Sequence, residues 1–370
     1  MWEDWFRQLV SGERHGARAS LLRGFLSGLA IVYGMIVQIR NLLYDKKILK
    51  VHKTNIPVIS VGNITLGGTG KSPLVARLCE YLISRNLNPA IISSGYKHNK
   101  AEKSNDNPNV NDEYLELALR LPDVYHCQNR NRVVAIEELL CFAVGRGVSI
   151  DVVILDDGMQ HRRLHRDLEI VLLDAMLPFG YGYLFPRGLL RESVEGLRRA
   201  DVILLSRADC VADAVRAEIA GKIREIAPNA IYAEVSHTPE KIIYYGKGEA
   251  DVMSIQDKNI FAFCGIGNPN AFLQTLRSIS SGQIHLEQYP DHYGYTKEDV
   301  IEIAQKANLM KVDVVICTMK DFVKVKQILD ADVGGGVVGL FVKVKVAALV
   351  IRIKFLANES QFDEAVKKIF

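Results

Sequence analysis

Short apolar runs alternate along this chain with stretches in which apolar residues recur at helical spacing. Val58–Val61, Ala90–Ser93, Val152–Leu155, Ile170–Leu173 and Val202–Leu205 are continuous aliphatic runs. Such runs predict strands buried on both faces, which have no polar face to alternate with. Ser72–Ser84 and Arg132–Val144 instead carry the period of amphipathic helices. The alternation over residues 51–210 predicts a mostly parallel sheet with helices on both faces. Lys97–Asn111 is polar and predicts an exposed loop past a strand tip.

Near residue 235 the pattern restarts. Ile260–Cys264 predicts a strand, Ala271–Ser278 a helix, Lys297–Ala307 a further helix and Val312–Cys317 a further strand. Gly334–Gly336 predicts a turn, and Val342–Phe355 alternates basic with apolar residues as late strands do. The expected division is 1–40, 41–235 and 236–370.

The N-terminal pattern differs from the rest. Gly24–Ile39 runs sixteen residues without a charge, flanked by Arg14, Arg18 and Arg23 before it and Arg40, Lys46, Lys47 and Lys50 after it. Trp2, Trp5 and Phe6 lie upstream. The run is shorter than the ~20 residues of a full span. The long preceding region and the lack of a small-residue cleavage site argue against a signal peptide. A helix in the membrane interface, with basic residues on anionic headgroups, fits the pattern. The competing reading is a core helix of the first domain.

The chemistry concentrates after the first strand. Val58–Val61 leads into Gly62-Asn63-Ile64-Thr65-Leu66-Gly67-Gly68-Thr69-Gly70-Lys71-Ser72. Glycines let backbone N–H groups turn around a phosphate, and the helix that follows adds its positive end. Thr65, Leu66, Gly67, Gly68, Thr69, Gly70, Lys71 and Ser72 are therefore candidate nucleotide ligands. Lys71 would reach the β- and γ-phosphates, and the Ser72 hydroxyl would hold Mg²⁺. Thr65 stands where the strict pattern has glycine. Downstream, Val152–Leu155 ends in Asp156-Asp157-Gly158. A carboxylate at such a strand tip holds Mg²⁺ directly or through water, with Asp156 the first candidate and Asp157 the second.

Composition narrows the class. A net charge of +3 over 370 residues gives no bulk argument for nucleic acid. The six cysteines, at 79, 127, 141, 210, 264 and 317, form no Cys-x-x-Cys pair. That argues against zinc and a disulfide framework and suits a reducing compartment.

Taken in order, the motifs resemble the tetraacyldisaccharide 4′-kinase family, the lipid A 4′-kinases of Gram-negative bacteria. They are SVGNITLGGTGKSP at 60–73, DDGMQHRRLHRDLEIVLLDA at 156–175, PRGLLRE at 186–192, GIGNP at 265–269, DHYGYT at 291–296 and TMKD at 318–321. The resemblance implies an α/β fold: a P-loop NTPase-type parallel sheet domain, a second smaller α/β domain closing the active-site cleft, and an N-terminal membrane-associated helix. It implies transfer of the ATP γ-phosphoryl group to the 4′-hydroxyl of a tetraacyldisaccharide 1-phosphate at the cytoplasmic face of the inner membrane. ATP and Mg²⁺ would serve as co-substrate and cofactor. The partners would be a lipid disaccharide and the membrane surface, with no nucleic acid and no obligate protein partner.

By the same resemblance, Asp112 and His292 would handle the hydroxyl proton. Arg191 would contact the phosphates or the transition-state charge, and Glu192 would complete the metal's outer shell. Gln160 and His161 would point at the nucleotide. Read alone, Asp112 also fits an N-cap of the helix after it. The chain departs from the family at Ser93-Ser94-Gly95-Tyr96, which lacks an arginine, and at Tyr114, Tyr181 and Arg187. Arg187 is the candidate to replace the charge absent at Ser94.

The competing functional reading is a membrane-associated P-loop GTPase or ATPase of switch or chaperone type. Guanine recognition needs an Asn/Thr-Lys-x-Asp motif after a strand, whereas Ser206-Arg207-Ala208-Asp209 follows residues 202–205. A non-catalytic phosphate-binding scaffold would have no use for the strand-tip carboxylates.

Overall fold

The computed structural model describes residues 2–95, 111–332, 334–341 and 344–370. The loop expected over Lys97–Asn111 thus lies, apart from Asn111, outside the described residues, as does Tyr96. The chain forms two compact units. One comprises Asp123–His237, Ile353–Phe370 and the chain before residue 96; the other comprises Thr238–Arg352 with the helix Asp112–Arg120.

In the first unit, Val58–Asn63 is the central strand. It pairs in parallel with Val152–Asp156 on one side and Leu168–Asp174 on the other. Pro89–Ser93 and then Tyr125–Gln128 continue beyond Val152–Asp156. Val202–Ser206 and then the first residues of Ile231–Tyr244 continue beyond Leu168–Asp174. All these pairings are parallel, as the continuous apolar runs required. Two faces are filled separately. Ile64, Met159, Val171, Leu190 and Leu197 pack on one, and Val58, Ile92, Ala135, Leu139 and Leu155 on the other. Lys71–Ile83 buries Leu74, Leu78 and Leu82, and its N-cap is Gly70 in the left-handed region. A parallel sheet brings strand C-termini to one edge, so Asn63 and Asp156 end on the same side.

The second unit carries its own parallel strands in the order Ile284–Gln288, Ile260–Cys264, Val314–Thr318, Lys345–Ala357. Phe261 and Phe263 face one core with Phe322; Ile260, Ala262 and Cys264 face another with Phe272 and Leu276. Val342–Phe355, expected to be strand, contributes the strand Lys345–Ala357. The apolar N-terminal run belongs to a 29-residue helix, Ala17–Asp45, in which only Ala30 and Gly34 are buried. Its residues therefore do not form a core helix. Among the described residues it alone is long and apolar enough to cross a membrane, by length and composition.

Candidate active site

Lys71 and Asp157 meet at the mouth of the glycine-rich loop. Lys71 Nζ lies 3.3 Å from Asp157 Oδ1. Arg191 Nη1 donates to both carboxylate oxygens of Asp157, at 3.0 and 2.8 Å. Burial would push the Asp157 carboxyl up, but the Lys71 and Arg191 charges reverse that and bring it down to about 2. Asp157 adopts φ 56°, the left-handed conformation that turns its side chain off the strand axis. Asp156 completes the strand and is 1% exposed. Ser72 opens the helix and is also buried.

The segment carrying Arg191 is stitched to the entrance of the loop. Leu66 N donates to Leu189 O at 2.7 Å, and Arg191 N donates to Ile64 O at 2.7 Å. Glu192, buried, accepts from Arg199 at 2.5 Å and from Gln160 Nε2 at 2.9 Å. Gln160 Nε2 also donates to Asn63 O. The acidic candidates thus separate: Asp157 serves Lys71 and Arg191, while Glu192 serves Arg199 and Gln160. Among the described residues, no group of three His, Cys, Asp or Glu side chains gathers as a metal site.

Two residues behind the loop carried no sequence signal of their role. His237 lies under Gly70, where an added Cβ would fall 2.4 Å from Nε2, and it shares a 3.1 Å hydrogen bond with Ser206 Oγ. Burial, with the nearby Arg207 charge, brings the imidazole down to about 4, so it is neutral at physiological pH. Arg207 donates to Gly68 O at 2.9 Å and is paired with Asp174. The Ser206–Asp209 segment thus braces the phosphate loop through Arg207.

Arg132 brings a further positive charge to the strand-tip aspartates. It is buried, donates from Nη1 to Ser93 O at 2.6 Å, and feels the charges of Asp156 and Asp157. Arg187, expected near Ser94, instead donates to Val10 O and lies 4.2 Å from the Tyr183 ring centroid. Burial, together with the Arg132 charge, brings His161 down to about 4.

In the second unit, Asp112 and His292 do meet. His292 Nδ1 and Asp112 Oδ2 are 3.0 Å apart, with Asp112 7% exposed on its side chain and His292 61%. Lys324 Nζ is 3.2 Å from the same oxygen, and Lys320 pairs with Glu113 at 3.1 Å. Burial would raise the Asp112 carboxyl; the His292 hydrogen bond and the two lysine charges outweigh it and hold it well below the carboxylate range. The helix N-cap is Asn111, whose side chain accepts from Glu113 N, so Asp112 is the first helical residue rather than the cap. Lys320 and Lys324 lie one turn apart on Met319–Asp330, a spacing visible in the sequence.

Buried Asp321 ties three motifs together. It accepts from Gly265 N at 3.1 Å, Tyr295 Oη at 3.1 Å and Thr318 Oγ1 at 2.6 Å. His292 N in turn donates to Gly265 O at 3.1 Å, so the network holds the loop that presents His292.

A parallel sheet with a Gly-Lys-Ser loop at its carboxyl edge, and an aspartate gripping the lysine of that loop, defines a P-loop nucleotide-binding protein. Residues 22–370 match the family described as LpxK, tetraacyldisaccharide-1-P 4′-kinase. The tetraacyldisaccharide 4′-kinase of Halothermothrix orenii is 32% identical over 349 residues, covering 86% of this chain and 88% of that one. That of Geobacter metallireducens is 33% identical over 319 residues, covering 84% and 90%. The crystal structure of LpxK from Aquifex aeolicus in complex with ATP superimposes with a TM-score of 0.66 at 27% identity, covering 94% of this chain and 99% of that one. The chain belongs to the tetraacyldisaccharide-1-P 4′-kinase family. Its activity is phosphorylation of the 4′-hydroxyl of a tetraacyldisaccharide 1-phosphate in lipid A biosynthesis, and the switch or chaperone reading is not favoured.

Proposed function

We propose that ATP donates its γ-phosphoryl group at the loop Thr65–Ser72, with Lys71 on the phosphates and Arg191 on the charge that develops in transfer. The observation that carries this reading is the Lys71–Asp157–Arg191 cluster: one half-buried carboxylate aims two cations from different elements at one place. Arg132, buried near both aspartates, adds a third positive charge.

Ser72 and Asp156 are buried oxygen donors, and hard oxygen donors suit Mg²⁺. We assign them as its holders, with Asp157 beside them and Glu192 behind, fixing Arg199 and Gln160. When bound, the cation would supply charge neutralisation at the phosphate oxygens. Asp112 would accept the proton of the 4′-hydroxyl, with His292 orienting the carboxylate. The helix Ala17–Asp45 would associate with the cytoplasmic face of the inner membrane, where the lipid acceptor is confined.

The decisive test is Lys71→Ala. Transfer from ATP to the lipid acceptor should fall by roughly a hundredfold or more, as for loss of a transition-state contact. Circular dichroism should be unchanged. Near-wild-type turnover would refute the ATP-site assignment. The wild-type protein should consume ATP only when the lipid acceptor is present.

A further inference from the structure

The helix Ala17–Asp45 touches its unit through a narrow stripe. Ala30 and Gly34 are buried on it, and an added Cβ at Gly34 would fall 2.7 Å from Leu184 Cδ1. Tyr33, Asn41 and Asp45 continue the docked side at eight- and four-residue steps, which return to one helix face. Arg162 donates to Asn41 O at 3.0 Å and to Asp45 Oδ1 at 2.5 Å. The remaining faces expose Leu21, Phe25, Ile31, Ile36 and Ile39.

The polar contacts of this stripe reach the segment that carries Arg191. Tyr33 Oη donates to Arg191 O at 2.7 Å, across 158 residues of sequence. Asn41 Nδ2 donates to Glu192 Oε2 at 3.4 Å. Arg191 N is already committed to Ile64 O. Both main-chain groups of Arg191 are therefore fixed, one by the entrance of the phosphate loop and the other by the apolar helix. The Tyr33 ring is also held, edge-on to Phe185 with centroids 6.3 Å apart.

We propose that Tyr33 is a positioning residue for phosphoryl transfer, and that the apolar helix acts through it as part of the catalytic scaffold as well as an attachment to lipid. An anchor alone needs only apolar area, and the exposed faces supply that. A hydroxyl aimed at the carbonyl of Arg191 adds nothing to attachment, but it limits how far the peptide of Arg191 can tilt. Side-chain reach follows from that peptide, since the guanidinium must meet Asp157 and the phosphates from a fixed origin. Small displacements of a transition-state group are costly in rate. The inference rests on the proposed role of Arg191.

The test is Tyr33→Phe in the full-length chain, which removes the hydroxyl and keeps the ring. One neutral hydrogen bond corresponds to about a fivefold change in rate, from its ~1 kcal/mol. We expect kcat to fall by about that factor, with KM for ATP and co-sedimentation with anionic phospholipid vesicles unchanged. Arg191→Lys, measured in parallel, should lose more than tenfold, and Tyr33→Phe should add little in that background, because both changes act on one group. Wild-type kcat in Tyr33→Phe, or losses that simply multiply in the double variant, would overturn the proposal. Full activity in Arg191→Lys would instead refute the role of Arg191, and the proposal with it. Should Tyr33→Phe fold poorly, Asn41→Ala reads the same coupling through Glu192, and an unchanged kcat there, too, would count against it.

Discussion

Asp112 and His292 show how two side chains far apart in sequence set one another's charge. The hydrogen bond to Asp112 raises His292 above 6.5, against the opposing effect of burial. The folded state therefore favours imidazolium, and that contribution is complete below 6.5 and fades as pH rises through the higher folded value. Asp112 is shifted the other way, so its contribution is present above 3.8 and lost as pH falls through its lower folded value. The pair supports the fold most strongly between those limits. Asp112→Asn should return the His292 titration, followed by NMR, toward 6.5. A His292 titration left unchanged by Asp112→Asn would show that Asp291, the other carboxylate that raises it, rather than Asp112, governs it. Asp112→Ala and His292→Ala should each lower kcat far more than ATP affinity, with less than additive losses in the double variant.

At the scale of elements, the phosphate loop is shaped from behind. Gly70 has φ 89° and is pressed against His237, while Arg207 holds the carbonyl of Gly68. Gly70→Ala combines a left-handed backbone with a Cβ inside contact distance of an imidazole. Such strain costs of order 1–3 kcal/mol, so ATP affinity measured by nucleotide titration should weaken by roughly tenfold or more. His237→Ala in the same chain should recover only part of the loss, because it relieves the contact and leaves φ as it was. An affinity in Gly70→Ala equal to wild type would mean that the loop does not need this conformation to bind phosphate.

At the scale of the whole molecule, the proposed membrane association rests on the N-terminal helix. Leu21, Phe25, Ile31, Ile36 and Ile39 are all exposed along this one helix, unlike the singly scattered apolar residues of an ordinary surface. Full-length protein should sediment with membranes, and high salt should release it only partly, since salt screens the basic flanks but not the apolar contact. Removal of residues 1–40 should move it to the soluble fraction and weaken use of a bilayer-confined acceptor more than ATP binding. Full-length protein that is freely soluble without detergent would refute membrane association.

The local code of this chain was legible because it is local. Short, β-branched aliphatic runs bounded by polar residues read as covered strands, so Val58–Asn63, Val152–Asp156 and Val202–Ser206 were readable to within two residues. The placement of the glycine-rich loop between strand and helix, and of Asp156 at a strand end, was readable because it depends on adjacent residues. The short strand Tyr125–Gln128, with polar His126 and Gln128, gave no apolar run to find. Ala17–Asp45 extends well beyond the uncharged stretch, because helices continue through Arg23 and Arg40 as readily as through leucine. Pairing across sequence was decided by tertiary structure alone. The grip of Arg191 on Asp157, the neutral His237 under Gly70, Arg132 rather than Arg187 on the buried side, and Tyr33 on the Arg191 carbonyl are contacts between separate elements. Composition and spacing carry no information about which strand tips share an edge or which helix face lies on which loop. Those follow from the order in which the parallel strands pack.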